Sequence, residues 1–207
     1  MQSYYFYQHP TAQHTYVQKQ PIAEQEAEFI WVECSRDDVV NPAEHWQQDI
    51  YAATGLWMNE YHLRDILNLE HPCAFDTLED YDLLIFRKLI TPDDQIKLDT
   101  QAAEKHERVF GLATTPISFM LTPQVLITVR EQGNKEVESY IQRMETVLSH
   151  PIEEHNKPRK LPATPLDLTL RLIINMVDGH LNLRVPLTRR VELWQQWLLK
   201  VHRSFTK

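Results

Sequence analysis

Residues 116–129 read PISFMLTPQVLITV. Two runs rich in β-branched and other apolar residues, Pro116 to Leu121 and Val125 to Val129, flank the turn-forming Thr122, Pro123 and Gln124. That pattern predicts an antiparallel hairpin. Just downstream, Val137, Tyr140, Ile141, Met144 and Val147 or Leu148 recur at helical spacing, so a helix is expected over about 135–148. Upstream, Asp82 to Leu89 (DLLIFRKL) is a continuous apolar run bounded by charge, the pattern of a strand inside a covered sheet. The stretch from Pro92 to Arg108 between them is polar and reads as a loop.

Further toward the N-terminus, Glu28 to Glu33 (EFIWVE) reads as a strand, and Tyr4 to Tyr7 with Thr15 to Val17 as a weak hairpin at a sheet edge, turning through His9, Pro10 and Thr11. Asn41 is a good N-cap with Pro42 at the first helical position, so a helix should run to about Thr54 and stop at Gly55. Asn59 should cap a second one carrying Tyr61, Leu63, Ile66 and Leu67. Strands that precede and interleave with helices predict an α/β fold, a three-layer αβα sandwich with a mixed sheet, occupying residues 1–150.

Residues 151–163 (PIEEHNKPRKLPA) hold three prolines and many charges and read as a linker. From Thr164 to about Phe205 a single long helix is expected, the arm of residues 164–207. Leu170, Ile174, Val177 and Leu181, and after a kink at Pro186 the series Leu187, Val191, Trp194, Leu198, Val201 and Phe205, step by three and four as in a coiled-coil seam. Trp194 and Trp197 read as packing residues of that seam, against this chain or a neighbouring protomer. A seam this long needs a partner helix, from a continuation of the chain or from another subunit.

Charge and composition narrow the function classes. With 43% apolar and 24% charged residues the chain has the balance of a globular protein. Residues 164–207 carry seven Lys/Arg against three Asp/Glu, a net of +4, whereas residues 1–163 carry fourteen against twenty-six, a net of −12. An acidic body argues against nucleic acid and makes cations the natural counter-ligands. Leu166 to Leu183, the most apolar long stretch, is broken by Asp167, Arg171, Asn175, Asp178 and His180, and the N-terminus MQSYYFYQHP has neither a basic nor an apolar signal region. A cytoplasmic location is therefore expected. Cys34 and Cys73 lack a CxxC spacing and read as two reduced thiols. No nucleophile elbow, P-loop, dinucleotide fingerprint or HExxH occurs, and four glycines leave little for a phosphate cradle, so no enzymatic activity is expected.

Three blocks in order resemble the cytoplasmic domain of the CorA family of divalent metal ion transporters. Leu63 to Lys88 (LRDILNLEHPCAFDTLEDYDLLIFRK) is similar to the family's Asp-Ile-Leu-Asn helix end, proline turn and acidic-Tyr strand start. Pro116 to Glu131 (PISFMLTPQVLITVRE) resembles the family hairpin closed by Thr-Val-Arg-Glu, and Leu170 to Gly179, with Val177-Asp178-Gly179, resembles the start of the long helix that descends toward the membrane. The resemblance implies a cytoplasmic, ion-sensing domain of a magnesium transporter that assembles as a homopentamer on the inner face of the cell membrane. The family's Gly-Met-Asn loop, two membrane helices and pore-lining stalk are expected to lie beyond this chain, so membrane contact would come only through that missing region. His71-Pro72-Cys73 stands where the family usually has an Arg-Pro-Lys-like turn, which leaves a ZntB-like zinc transporter open. A stand-alone binding or scaffolding module of the same fold is a further alternative.

The resemblance also implies a site. A helix-borne aspartate of the family binds divalent cation between subunits, and the matching residue is Asp65. It lies in an acidic block, Glu60 to Asp82, with Glu60, Asp65, Glu70, Asp76, Glu79, Asp80 and Asp82 against Arg64 alone. Oxygen ligands suit magnesium, which keeps much of its water. A family partner position on the arm falls on Ile174, which cannot ligate, so the site is expected to be incomplete in one chain. His62 and His71 lie in the block and would suit zinc, or serve as surface and capping histidines. His150 and His155, flanking Glu153 and Glu154, have a spacing unlike a helical ligand pair and read as loop, and Asp178-Gly179-His180 as a detail of the helix.

Overall fold

The computed structural model describes residues 1–8, 15–40, 43–90, 113–149, 161–181, 188 and 191–196. Seven strands form one sheet: β1 (Gln2–Gln8), β2 (Thr15–Gln18), β3 (Phe29–Ser35), β4 (Ala74–Thr77), β5 (Asp82–Ile90), β6 (Ala113–Leu121) and β7 (Val125–Arg130), in the order β2-β1-β3-β7-β6-β5-β4. Only β3 and β7 run parallel; every other pair is antiparallel. Helices α1 (Arg36–Val40), α2 (Ala43–Thr54) and α3 (Glu60–Leu67) cover one face, and α4 (Lys135–Ser149) and α5 (Pro165–Leu181) the other. The result is the expected α/β sandwich of three layers around a mixed sheet.

Alternation along the strands builds the two cores. On the α1–α3 face Val32, Cys34, Leu83, Ile85, Met120, Ile127 and Val129 meet Val39, Trp46, Ile50 and Ile66. On the other, Tyr4, Phe6, Trp31, Phe119 and Leu126 meet Val137 and Met144 of α4 and Leu168, Leu172 and Met176 of α5. Burial on both faces explains why Val125, Leu126, Ile127 and Val129 of β7 are all apolar: all six residues of the strand are buried, Thr128 and Arg130 with polar partners. Buried indole N–H groups are satisfied locally, Trp31 Nε1 donating to Thr128 Oγ1 at 3.0 Å and Trp46 Nε1 to Cys34 Sγ at 3.4 Å.

Helix ends follow the expected caps where they are described. Gly55, at φ 74°, ends α2 with its N–H on Tyr51 O at 2.8 Å. Asn59 Oδ1 accepts the Tyr61 N–H at 2.9 Å at the start of α3. Thr164 caps α5 by accepting from Asp167 N–H at 3.1 Å, with Pro165 at the first position. Asn41, Pro42, the 9–11 turn, the 92–108 stretch, His150, Glu153, Glu154, His155, Pro186, Trp197 and the seam beyond residue 196 lie outside the described residues.

The sequence pattern did not show α1 or β4, each five residues or fewer and too short for a period to register. Beyond α5 the arm is described at residues 188 and 191–196, which are helical; its expected course through Pro186 and on to Phe205 lies outside the described residues. Within α5 the seam residues Leu170, Ile174 and Val177 are exposed at 51%, 55% and 43%, and the opposite stripe, Leu168, Leu172 and Met176, packs into the sheet. The helix thus has two apolar faces, and the sheet covers the one absent from the seam.

Cys34 is buried and Cys73 exposed, both unpaired, and burial pushes the Cys34 thiol up to about 12. A thiol reagent at neutral pH should titrate one cysteine rapidly and the second only in denaturant. Two rapid equivalents would mean that α2 does not cover β3.

Candidate functional site

The acidic block folds into α3, the turn after it, β4 and the start of β5. Asp65 projects from α3 with 41% of its side chain exposed, and His71, in the turn after the helix, brings Nε2 to 3.5 Å from Asp65 Oδ1. Two arginines hold that turn from the sheet side. Arg87 on β5 donates to Leu69 O and His71 O, both at 2.7 Å, and Arg36 donates to Ile66 O. Cations at a helix C-terminus satisfy its orphan carbonyls and oppose its dipole. Through them the helix end that bears Asp65 is fixed to β5 and to the start of α1.

His62, one of the two candidate zinc ligands, points inward. Its ring is buried, with Nδ1 at 2.9 Å from Tyr81 Oη and Nε2 at 3.0 Å from Asp76 Oδ2. Tyr81 Oη also accepts the Asn59 N–H at 3.0 Å. Asp76 is held below the usual carboxylate range, chiefly by the His62 hydrogen bond and then by the Thr77 N–H. A signal in the sequence was there to find: His62 lies four residues before the core residue Ile66, on the same helical face. Asp, His and Tyr in series resemble a catalytic relay in outline only. Burial raises the Tyr81 hydroxyl pKa, and its oxygen is occupied by Asn59 N–H, both contrary to an activated nucleophile.

A second charged group lies where β3 and β7 end side by side. β3 leads into α1 on one face and β7 into α4 on the other, the kind of switch point at which α/β sheets often bind ligands. Here it is closed by ion pairs. Arg130 Nε lies 2.8 Å from Glu33 Oε1, and Arg36 Nε 2.6 Å from Glu131 Oε1, close enough to pair although the angles fall short of good hydrogen bonds. Lys88 pairs with Glu136. Desolvation raises Glu33 above the usual carboxylate range, more than Arg130 lowers it.

Among the described residues no three His, Cys, Asp or Glu side chains converge as a metal site, so the donor set about Asp65 within one chain is Asp65 with His71. Ile174, the matching position on the arm, is exposed on α5 and cannot ligate. No helix among the described residues is long and apolar enough to cross a membrane.

The complete CorA magnesium transporter of Methanocaldococcus jannaschii superposes with a TM-score of 0.58 at 12% identity, over 97% of this chain and 52% of that one. The fold is that of the CorA soluble domain. That domain, from the same organism, matches with a TM-score of 0.55 at 15% identity, over 87% of this chain and 61% of its own. The ZntB cytoplasmic domain of Vibrio parahaemolyticus matches with 0.51 at 17% identity, over 87% and 60%. This chain therefore spans about half to three-fifths of the proteins with the CorA fold that it matches. No protein-family model matches the sequence, and no curated protein does.

Proposed function

We propose that this chain is the cytoplasmic, cation-sensing domain of a CorA-type divalent metal ion transporter, and that Asp65 supplies a carboxylate to a cation shared between copies of the domain. The observation that carries the reading is the CorA fold over 97% of the chain. A half-exposed Asp65 and a body of net charge −12 over residues 1–163 support it. Acidic domains gathered about an axis in a homo-oligomer, a pentamer in the complete transporter, repel one another; a divalent cation between them cancels that repulsion and holds one arrangement, and its loss favours the other. One carboxylate per chain suits magnesium, whose remaining positions water can fill.

The test is a titration of the purified chain with Mg²⁺, Co²⁺ and Zn²⁺, followed by melting temperature and by mass in solution. At a hundred times the dissociation constant a bound ion adds about 2.7 kcal/mol, a rise on the order of 5–10 °C for a chain of this size. Asp65→Ala should remove the rise. No response to any of the three ions, in melting or in mass, would overturn the reading. A ZntB-like zinc domain is favoured by one observation, the imidazole of His71 beside Asp65, since nitrogen with oxygen suits zinc better than magnesium. Zn²⁺ acting at far lower concentration than Mg²⁺, and losing that advantage in His71→Ala, would select it.

A further inference from the structure

We propose that Arg36 is a two-ended strut that couples the C-terminal end of α3 to the junction of β7 with α4, two places on opposite faces of the sheet. In the register of the parallel pair Ser35 stands opposite Arg130, so Arg36 and Glu131 are the first residues past the ends of neighbouring strands. Arg36 begins α1 on one face, and Glu131 leads toward α4 on the other. The Arg36 side chain is 8% exposed and reaches both ways. Nη1 donates to Ile66 O near the end of α3, and Nε lies 2.6 Å from Glu131 Oε1.

Both contacts draw on one rigid group. A guanidinium is planar and always charged, so its donors cannot be re-aimed one at a time. Burial disfavours that charge, and the Glu131 carboxylate is the largest influence opposing it. Without Glu131 the buried cation faces only a neutral carbonyl, and moving toward water relieves it. That movement breaks the bond to Ile66 O, one of the last-turn carbonyls that a helix cannot satisfy from within.

The far end of the strut is the start of α4. Arg130 donates to Glu131 O at 3.1 Å and pairs with Glu33, Gly133 N–H donates to Glu138 Oε1 at 3.1 Å, and Asn134 Oδ1 accepts the Val137 N–H at 3.2 Å. At the near end Ile66 follows Asp65, and Arg87 holds the turn beyond it through Leu69 O and His71 O. That second hold keeps the turn in place when Arg36 lets go, so the coupling can be read in a folded chain. Where Asp65 holds a cation, the strut carries its effect to α4. This use rests on the function proposed above, whereas the strut itself does not and is tested without metal.

A double-mutant cycle on the purified chain tests it, read by hydrogen exchange of the Asn68 amide, which closes α3 on Arg64 O and Asp65 O. The amide of Val129, buried in β7 between β3 and β6, is the reference for global opening. Glu131→Ala should speed Asn68 exchange about fivefold relative to Val129, although Glu131 lies past the end of β7 and not on α3. Arg36→Met should speed it at least as much, and in that background Glu131→Ala should add less than about twofold. Linkage makes the reverse effect, of the α3 end on the Glu131 end, equal in size. The Glu131→Ala comparison decides by itself if Arg36→Met does not fold. An unchanged Asn68 rate in Glu131→Ala, an equal acceleration of Asn68 and Val129, or a fivefold effect that persists in Arg36→Met would each overturn the strut.

Discussion

Replacing Arg130 by alanine should lower the stability of the fold by about 3–5 kcal/mol, because it strands Glu33 in the interior. The Arg130 side chain is 9% exposed and that of Glu33 12%, with Nε and Oε1 2.8 Å apart. Arg130 also donates to Glu131 O at 3.1 Å and approaches Glu138 at 3.6 Å, so its loss loosens the start of α4 too. Urea denaturation across pH separates the two contributions. The folded pKa of Glu33 is already raised by burial, so protonation of Glu33 favours the folded state below the unfolded value, and that contribution is lost as pH rises through the folded pKa. In Arg130→Ala the raise is larger. The loss should therefore be full near neutrality and shrink as the pH falls toward the ordinary glutamate range. A loss that does not change with pH would mean that Glu33 is not the stranded charge. Replacing both residues with apolar ones of similar volume should restore most of the stability.

The second large effect concerns the two faces of α5. Leu172 is 1% exposed against the sheet, and Leu172→Ala should cost about 2–5 kcal/mol, a fall in melting temperature on the order of 10 °C. Ile174, 55% exposed on the opposite face, should change the stability of the monomer by less than about 0.5 kcal/mol when replaced by alanine. If the domain assembles, that comparison shifts with concentration: Ile174→Ala should weaken association and leave the dilute chain unaffected. Equal losses from both substitutions in dilute solution would contradict the burial of one stripe alone.

These two sites also mark how far the sequence could be read. The covered strand 82–89 and the 116–129 hairpin announce themselves by continuous apolar runs, and Gly55 and Asn59 by cap chemistry that acts within a turn of the chain. Asp65 came from resemblance alone, and the fold puts it half-exposed on α3 beside His71. Glu33 and Arg130 carry no such local sign. A glutamate ending one strand and an arginine ending another look like solvated charges until β3 and β7 are laid parallel, with Ser35 opposite Arg130 in the register.

The sequence by itself determined the kinds and order of the longer elements, though not the short α1 and β4, and the ends at Gly55 and Asn59, because hydrophobic period and capping act over a few residues. Tertiary structure alone decided which stripe of α5 is core, since both stripes satisfy a helical period and only contact with the sheet separates them. It alone decided the surroundings of His62, whose partners lie fourteen and nineteen residues away and meet it only because β4 and β5 turn back against α3.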